Sequence, residues 1–317
     1  MFKFGAYGED MVEGFHGLAP WAHAIVVLLA GAGMLVIVPL GLSLVAVPGV
    51  GVATVRRWWV VVALPAAVSL WLPRGLVTAT LALPYLTAAS VLLTGSVMDI
   101  ASRGQERARQ AYGVRELGFD LALLTALAGP AIAGCALVAE RAGYRLFGFG
   151  LDTLTLTVAH FHYAGFAAAL VAALLLDRRP GAVTTAAAWC VPGGTLIVLA
   201  GYFAGGPVQL AGAAVLTVGM WLTGWVTWRA ARPFDPVTRV LLGVGALVLV
   251  ATMALALDRA LGQVFGLPHL SVSWMVATHG VANALGFALC SLLAWRRAWG
   301  VVLVPLTPPE AQLASRA

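Results

Sequence analysis

Nine apolar runs, each close to the length a helix needs to cross a bilayer, limit what this chain can become. A helix rises 1.5 Å per residue, so roughly 20 apolar residues cover a hydrocarbon core about 30 Å thick. Runs of that kind cover about 21–46, 56–73, 75–99, 119–140, 152–176, 182–204, 206–228, 240–262 and 274–296. Only 10% of the 317 residues are charged and 61% are hydrophobic, whereas soluble domains carry about 25% charged residues. The expected fold is therefore all-α: a polytopic membrane helix bundle of about nine transmembrane helices.

Charge tests that count. With the N-terminus outside, the inside positions hold 14 basic residues: Arg56, Arg57, Arg103, Arg107, Arg109, Arg115, Arg178, Arg179, Arg229, Arg232, Arg239, Arg296, Arg297 and Arg316. The outside positions hold 5, namely Lys3, Arg74, Arg141, Arg145 and Arg259. This asymmetry fits an odd number of spans, an outer N-terminus and a cytoplasmic C-terminus. The net charge of +6 follows the same rule, so the bilayer is the expected partner and nucleic acid is not. A bacterial plasma membrane is the expected location. The start of the chain carries Glu9, Asp10 and Glu13, unlike the basic start and immediate apolar stretch of a cleaved signal peptide.

The chain reads as a single integral membrane domain over 1–317. Residues 1–20 form an outer N-terminal segment, 100–118 a cytoplasmic loop alternating Arg and Glu, and 307–317 a polar, disordered tail. Cys135, Cys190 and Cys290 fall singly within apolar runs, as small packed residues rather than disulfides or thiolate ligands. Helix breakers stand near the middle of three spans: Pro84, Gly129-Pro130 and Pro192-Gly193-Gly194. They mark kinks, and the last marks the strongest candidate for a helix broken at the midplane, as transporters use.

The chemistry points elsewhere, to His160-Phe161-His162-Tyr163 in the fifth span. Imidazoles in lipid are costly, so intramembrane ionisable residues are functional candidates with a partner to be found. The partner expected here is His279, with Asn283 one turn on. His16, His23, His160, His162, His269 and His279 all fall on the outer side of the midplane on this topology. Residues two apart point about 200° away from each other on a helix. His160 shares its face with Thr153, Thr157 and Ala164, while His162 shares its own with Thr155, Val158, Ala159 and Phe166. His160 is thus the better cavity residue, and His162 could bond another helix.

On the ninth span, His279, Asn283, Gly286 and Cys290 share one stripe, and a His and an amide four apart can orient each other. The catalytic candidates are His160, His279 and Asn283. Candidate substrate contacts are His162, Tyr163, Thr157, Trp221 and Asp258. Asp258 has Arg259 or solvent as a competing partner, and Trp221 with Trp225 either lines a cavity or packs in the core. Trp228 fits the interfacial aromatic belt. Asp99 and Asp120 read as helix caps. No metal ligand set is assigned.

Two resemblances attach to these residues. Val158-Ala159-His160-Phe161-His162-Tyr163 resembles the paired haem-ligand segment of haem–copper oxidase subunit I, over fewer than ten residues and without that family's other histidine and tyrosine elements. His160-Phe161-His162-Tyr163-Ala164-Gly165-Phe166, with His279-Gly280 and Asn283-Ala284-Leu285-Gly286, is similar to the YndJ-like bacterial membrane proteins across roughly 100–297. That resemblance implies the membrane class and the importance of both motifs; it supplies no reaction.

Three functions then stand in order. The first is a membrane-embedded enzyme whose histidines do acid/base chemistry near neutral pH. It would be an isomerase or proton-initiated cyclase acting on a lipophilic, possibly isoprenoid, small molecule. The second is a small-molecule transporter with a His/Asn site. The third is a haem- or metal-binding membrane protein.

Overall fold

A computed structural model of the chain describes residues 17–45, 50–107 and 113–299. His16, most of the N-terminal segment, part of the 100–118 loop and the 307–317 tail lie outside the described residues. Among the described residues, nine helices are long and apolar enough to cross a membrane. They are α1 (Pro20–Leu42), α2 (Val52–Ser69), α3 (Leu76–Ser102), α4 (Val114–Arg141), α5 (Leu151–Arg178), α6 (Ala182–Ala204), α7 (Gly206–Ala230), α8 (Pro236–Phe265) and α9 (Val272–Ala298). The fold is an all-α polytopic bundle.

The loop expected over 100–118 is shorter than the sequence suggests. The third helix runs on to Arg107 and the fourth already starts at Val114, so the Arg/Glu-rich residues extend two transmembrane helices instead of forming a separate element.

One helix is central. The apolar window of α5 is 89% buried, against at most 61% in the other eight, so α5 is surrounded by protein rather than lipid. Neighbouring helices pair along the chain, α6 most closely with α7. Glycines set that distance. A Cβ at Gly194 would run into the Leu216 backbone, one at Gly212 into Val198, and one at Gly219 into Val191 and Cys190. Small residues are what let transmembrane backbones approach this closely.

The break expected at Pro192-Gly193-Gly194 is therefore not a break: α6 continues through it, and Gly194 serves packing against α7. Helices α3 and α4 likewise run on through Pro84 and Pro130. The irregular winding lies in α1, α5 and α9. There Gly33–Ile37, Phe161–Ala168, Val276–Gly280 and Ala282–Leu289 adopt the wider π form. Such segments are rare and concentrate at functional sites. At its π segment α5 packs against those of both α1 and α9, and α5 and α9 carry His160, His162 and His279.

A buried ion pair locks the C-terminal end of α4. Glu140 is fully buried and accepts from Arg141 Nη2 at 2.5 Å and from Arg74 Nε at 2.8 Å. Arg141 Nη1 also donates to the carbonyls of Ser69 and Leu72, at 2.9 and 3.1 Å. Every charge is met, which is the condition for a buried pair to hold. The pin ties the α2–α3 turn to α4 and leaves Glu140 no free oxygen for chemistry.

Candidate functional site

His162 is fully buried. Its Nδ1 lies 2.6 Å from the carbonyl oxygen of Val158 and its Nε2 lies 2.6 Å from the Tyr85 hydroxyl. A carbonyl can only accept, so Nδ1 carries the proton, and Nε2 then accepts from Tyr85. Tyr85 stands edge-on to Trp59, ring centroids 5.4 Å apart, and Trp59 Nε1 donates to the Met34 carbonyl at 2.9 Å. The relay thus joins α5, α3, α2 and α1. Gly33 presses on it from α1, since a Cβ there would lie 2.6 Å from His162 Cβ and Cγ. Both ring nitrogens of His162 are used and no surface is open.

His279 is also engaged, but less deeply. Its Nδ1 donates to the Thr252 carbonyl at 2.7 Å, which fixes the tautomer and leaves Nε2 to accept from Asn283 Nδ2 at 3.2 Å. The Thr252 hydroxyl lies 2.9 Å from both Asn283 Oδ1 and the Val248 carbonyl, so its one proton is shared. The four-residue spacing on α9 therefore does orient His279 through Asn283, with Thr252 of α8 as the third member.

His160 differs from both. It is exposed, its ring lies edge-on to Phe161 with centroids 6.2 Å apart, and neither ring nitrogen has a hydrogen-bond partner among the described residues. Helices α5 and α9, which carry the two rings, meet at their π segments. The two imidazoles expected to pair thus share a seam without bonding to each other. His160 is the last residue before the π segment of α5, at the point where the helix widens.

Tyr163, one turn on, is buried and donates its hydroxyl to the Leu29 carbonyl of α1 at 2.9 Å. Thr157 is partly buried, and its hydroxyl donates to Thr153 at 2.8 Å. Trp221 and Asp258 stand apart from this group. Trp221 is exposed like Trp225 and Trp228, and its Nε1 reaches the Leu249 carbonyl at 3.3 Å. Asp258 is exposed, and Arg259 donates to the Leu270 carbonyl at 2.7 Å instead of pairing with it.

Three residues of this region, Tyr85, Thr252 and Asp152, are not legible in the sequence. Tyr85 and Thr252 are single polar groups on apolar helices, and their isolation was the available signal. Asp152 and His23 lie near the N-terminal ends of α5 and α1. Asp152 Oδ1 is 3.9 Å from His23 Nδ1, and its Oδ2 accepts from the Leu18 amide at 3.2 Å. Ser273 of α9 completes the rim by accepting from the Ala19 amide at 3.0 Å. Among the described residues, no three His, Cys, Asp or Glu side chains converge as a metal ion would require.

With this geometry in place, comparison with known proteins gives a family. The YndJ-like protein family model matches residues 26–287, beginning well before the region carried by the two histidine motifs. A relative is the uncharacterized membrane protein YndJ of Bacillus subtilis (strain 168), 24% identical over 160 residues. That match covers 50% of this chain and 29% of the relative, so the chain spans less than a third of the relative's length in it. No solved structure matches the chain.

Proposed function

This chain belongs to the YndJ-like family of multi-pass membrane proteins, and we propose that it is a membrane-embedded enzyme in which His160 moves a proton on a lipophilic substrate. One observation carries this reading. Of the three histidines deep in α5 and α9, His160 alone has both nitrogens unengaged among the described residues, and it is exposed. A neutral imidazole offers one N–H and one lone pair, so a single ring can take a proton and give one.

Isomerisation of an isoprenoid-like double bond fits this best. The lone-pair nitrogen lifts a proton from one carbon, the allylic electrons shift, and a proton from the imidazolium returns at another carbon. The atoms balance with no co-reactant. A proton-initiated cyclase needs a stronger acid, and Glu140, the buried carboxylate at the C-terminal end of α4, is held by two arginines. His279 is a positioning residue here: locked by Thr252 and Asn283, it faces His160 as a neutral dipole and resists a second charge in the seam.

The test compares membrane lipids of cells making wild-type protein or His160→Ala, followed by turnover of the differing species with purified protein in detergent. A species converted by wild type and left unchanged by His160→Ala is the expected result. Transfer across sealed vesicles without chemical change would instead assign the seam to transport.

A further inference from the structure

Between Asp152 and Leu176 the accessible surface of α5 is confined to one stripe, and it ends inside the protein. Asp152, Thr153, Leu156, Thr157, His160 and Ala164 are open to differing degrees at the spacing of a single helix face. On the other side Leu154, Thr155, Val158 and Ala159 are buried, and so is each residue from Gly165 to Leu176. Helix α1 packs along this part of α5, and α9 meets α5 at the π segments and joins α1 above the stripe through Ala19 and Ser273. Below His160, the hydrogen bond from Tyr163 to Leu29 staples α5 to α1 and forms the floor.

We infer that this stripe is a blind cleft through which substrate reaches His160 from the outer face, with Asp152 and His23 at its mouth. The inference rests on the proposed role of His160 and adds the route and the substrate class. Asp152 sits in the first turn of α5, where the helix dipole favours a carboxylate. Its side chain is 37% accessible, and among the described residues its Oδ1 has the half-buried His23 at 3.9 Å. An incoming group that donates hydrogen bonds or carries positive charge is welcome there; a phosphate or carboxylate head is repelled.

Eight residues separate Asp152 from His160, which is about 12 Å along the helix axis. The substrate is therefore an amphiphile of the outer leaflet with a neutral or cationic polar end. Its reacting carbons lie about 12 Å from that end. The buried run beyond Ala164 gives it no exit on the inner side, so product leaves by the way substrate came.

Thiol labelling reads this route without any turnover. In a chain with Cys135, Cys190 and Cys290 replaced by Ser, single cysteines go in at Thr153, Thr157 and Ala168. Sealed right-side-out vesicles are treated with membrane-impermeant methanethiosulfonates of either charge. Thr153→Cys and Thr157→Cys are expected to react from outside, and Ala168→Cys to stay unmodified. The cationic reagent should react about fivefold faster than the anionic one, as attraction of one and repulsion of the other by a unit charge about 8 Å away in water would give. Adding Asp152→Asn should abolish that preference.

Reaction only from the inner face overturns the inference, and so does reaction only with an uncharged, lipid-soluble maleimide, which would place the stripe against lipid. An absent charge preference removes Asp152 from recognition and the stated substrate class with it. Failure of the His160 reading would appear separately, as turnover that survives His160→Ala in a protein whose labelling pattern is intact.

Discussion

His160 and His162 stand two residues apart on α5, and their surroundings are opposite. His162 lies in a closed relay of Trp59, Tyr85 and Val158, fully buried and with both nitrogens bonded. His160 lies in an open seam with both nitrogens free among the described residues. The roughly 200° between positions two apart turns one ring into the core and the other toward α9. A buried polar group that is fully met specifies packing, and one that is accessible and unmet is available for work. On the proposed reading, the same residue type carries stability in one place and chemistry in the other.

The sharpest way to break this contrast is to truncate each ring in turn. His162→Ala leaves a cavity and strands both the Tyr85 hydroxyl and the Val158 carbonyl, a loss of about 3–5 kcal/mol. Thermal unfolding in detergent, followed by the loss of the monodisperse peak, should show a large drop or failure to fold. His160→Ala should stay within about 0.5 kcal/mol of wild type while losing proton transfer. Equal destabilisation by the two would dissolve the distinction.

Gly33→Ala sharpens the closed side alone. The added Cβ would lie 2.6 Å from His162 Cβ and Cγ, in a relay with no room to yield, and overpacking of this kind costs about 1–3 kcal/mol. The variant should melt early yet retain turnover per folded molecule. Loss of activity without loss of stability would mean that the relay reaches into the seam.

How far this division could be read from the chain depends on the residue. The nine spans follow from apolar length alone, and the orientation of His279 by Asn283 follows from a four-residue spacing on one helix. The opposed faces of His160 and His162 follow from the helical period. The π segments left no such mark, because winding there is decided by packing among α1, α5 and α9 rather than by local residue choice. Pro192-Gly193-Gly194 misdirected the reading for a related reason. A glycine that breaks a helix and a glycine that admits a neighbour look alike in sequence, and Gly194 is the second kind, set against Leu216. Tyr85, Thr252 and Asp152 became part of the picture only when distant helices brought them to the histidines.

Asn283→Ala tests the seam's supporting network. It removes the donor to His279 Nε2 and the acceptor for Thr252. Interhelical hydrogen bonds in membranes contribute about 0.6 kcal/mol on average and about 1.7 at most, so the change in melting should be small. Turnover should fall much further, because His279 loses its fixed orientation opposite His160. Asn283→Asp, which keeps an acceptor for Thr252 but loses the donor to His279, should recover melting more than turnover. A fall in melting and activity in proportion would make Asn283 merely a clamp.

The smallest effect belongs at the far end of α8, the helix that carries Thr252. Asp235 caps this helix, its Oδ1 accepting from the amides of Val237 and Thr238 at 3.1 and 3.2 Å. Hydrogen bonds from the Thr238 side chain and amide hold its carboxyl below the ordinary value of 3.8. A carboxyl held low in the folded state stabilises that state above its unfolded value, and the contribution is lost as pH falls through the folded value. Wild-type melting should therefore decline on acidification below about pH 4, and Asp235→Asn should lack that component while melting slightly earlier at neutral pH. Turnover at neutral pH should be unchanged, because the cap lies about 25 Å along α8 from Thr252. If Asp235→Asn cut activity as deeply as Asn283→Ala, the seam would be reporting the integrity of the whole bundle, and the contrast between a working histidine and a structural one would lose its local meaning.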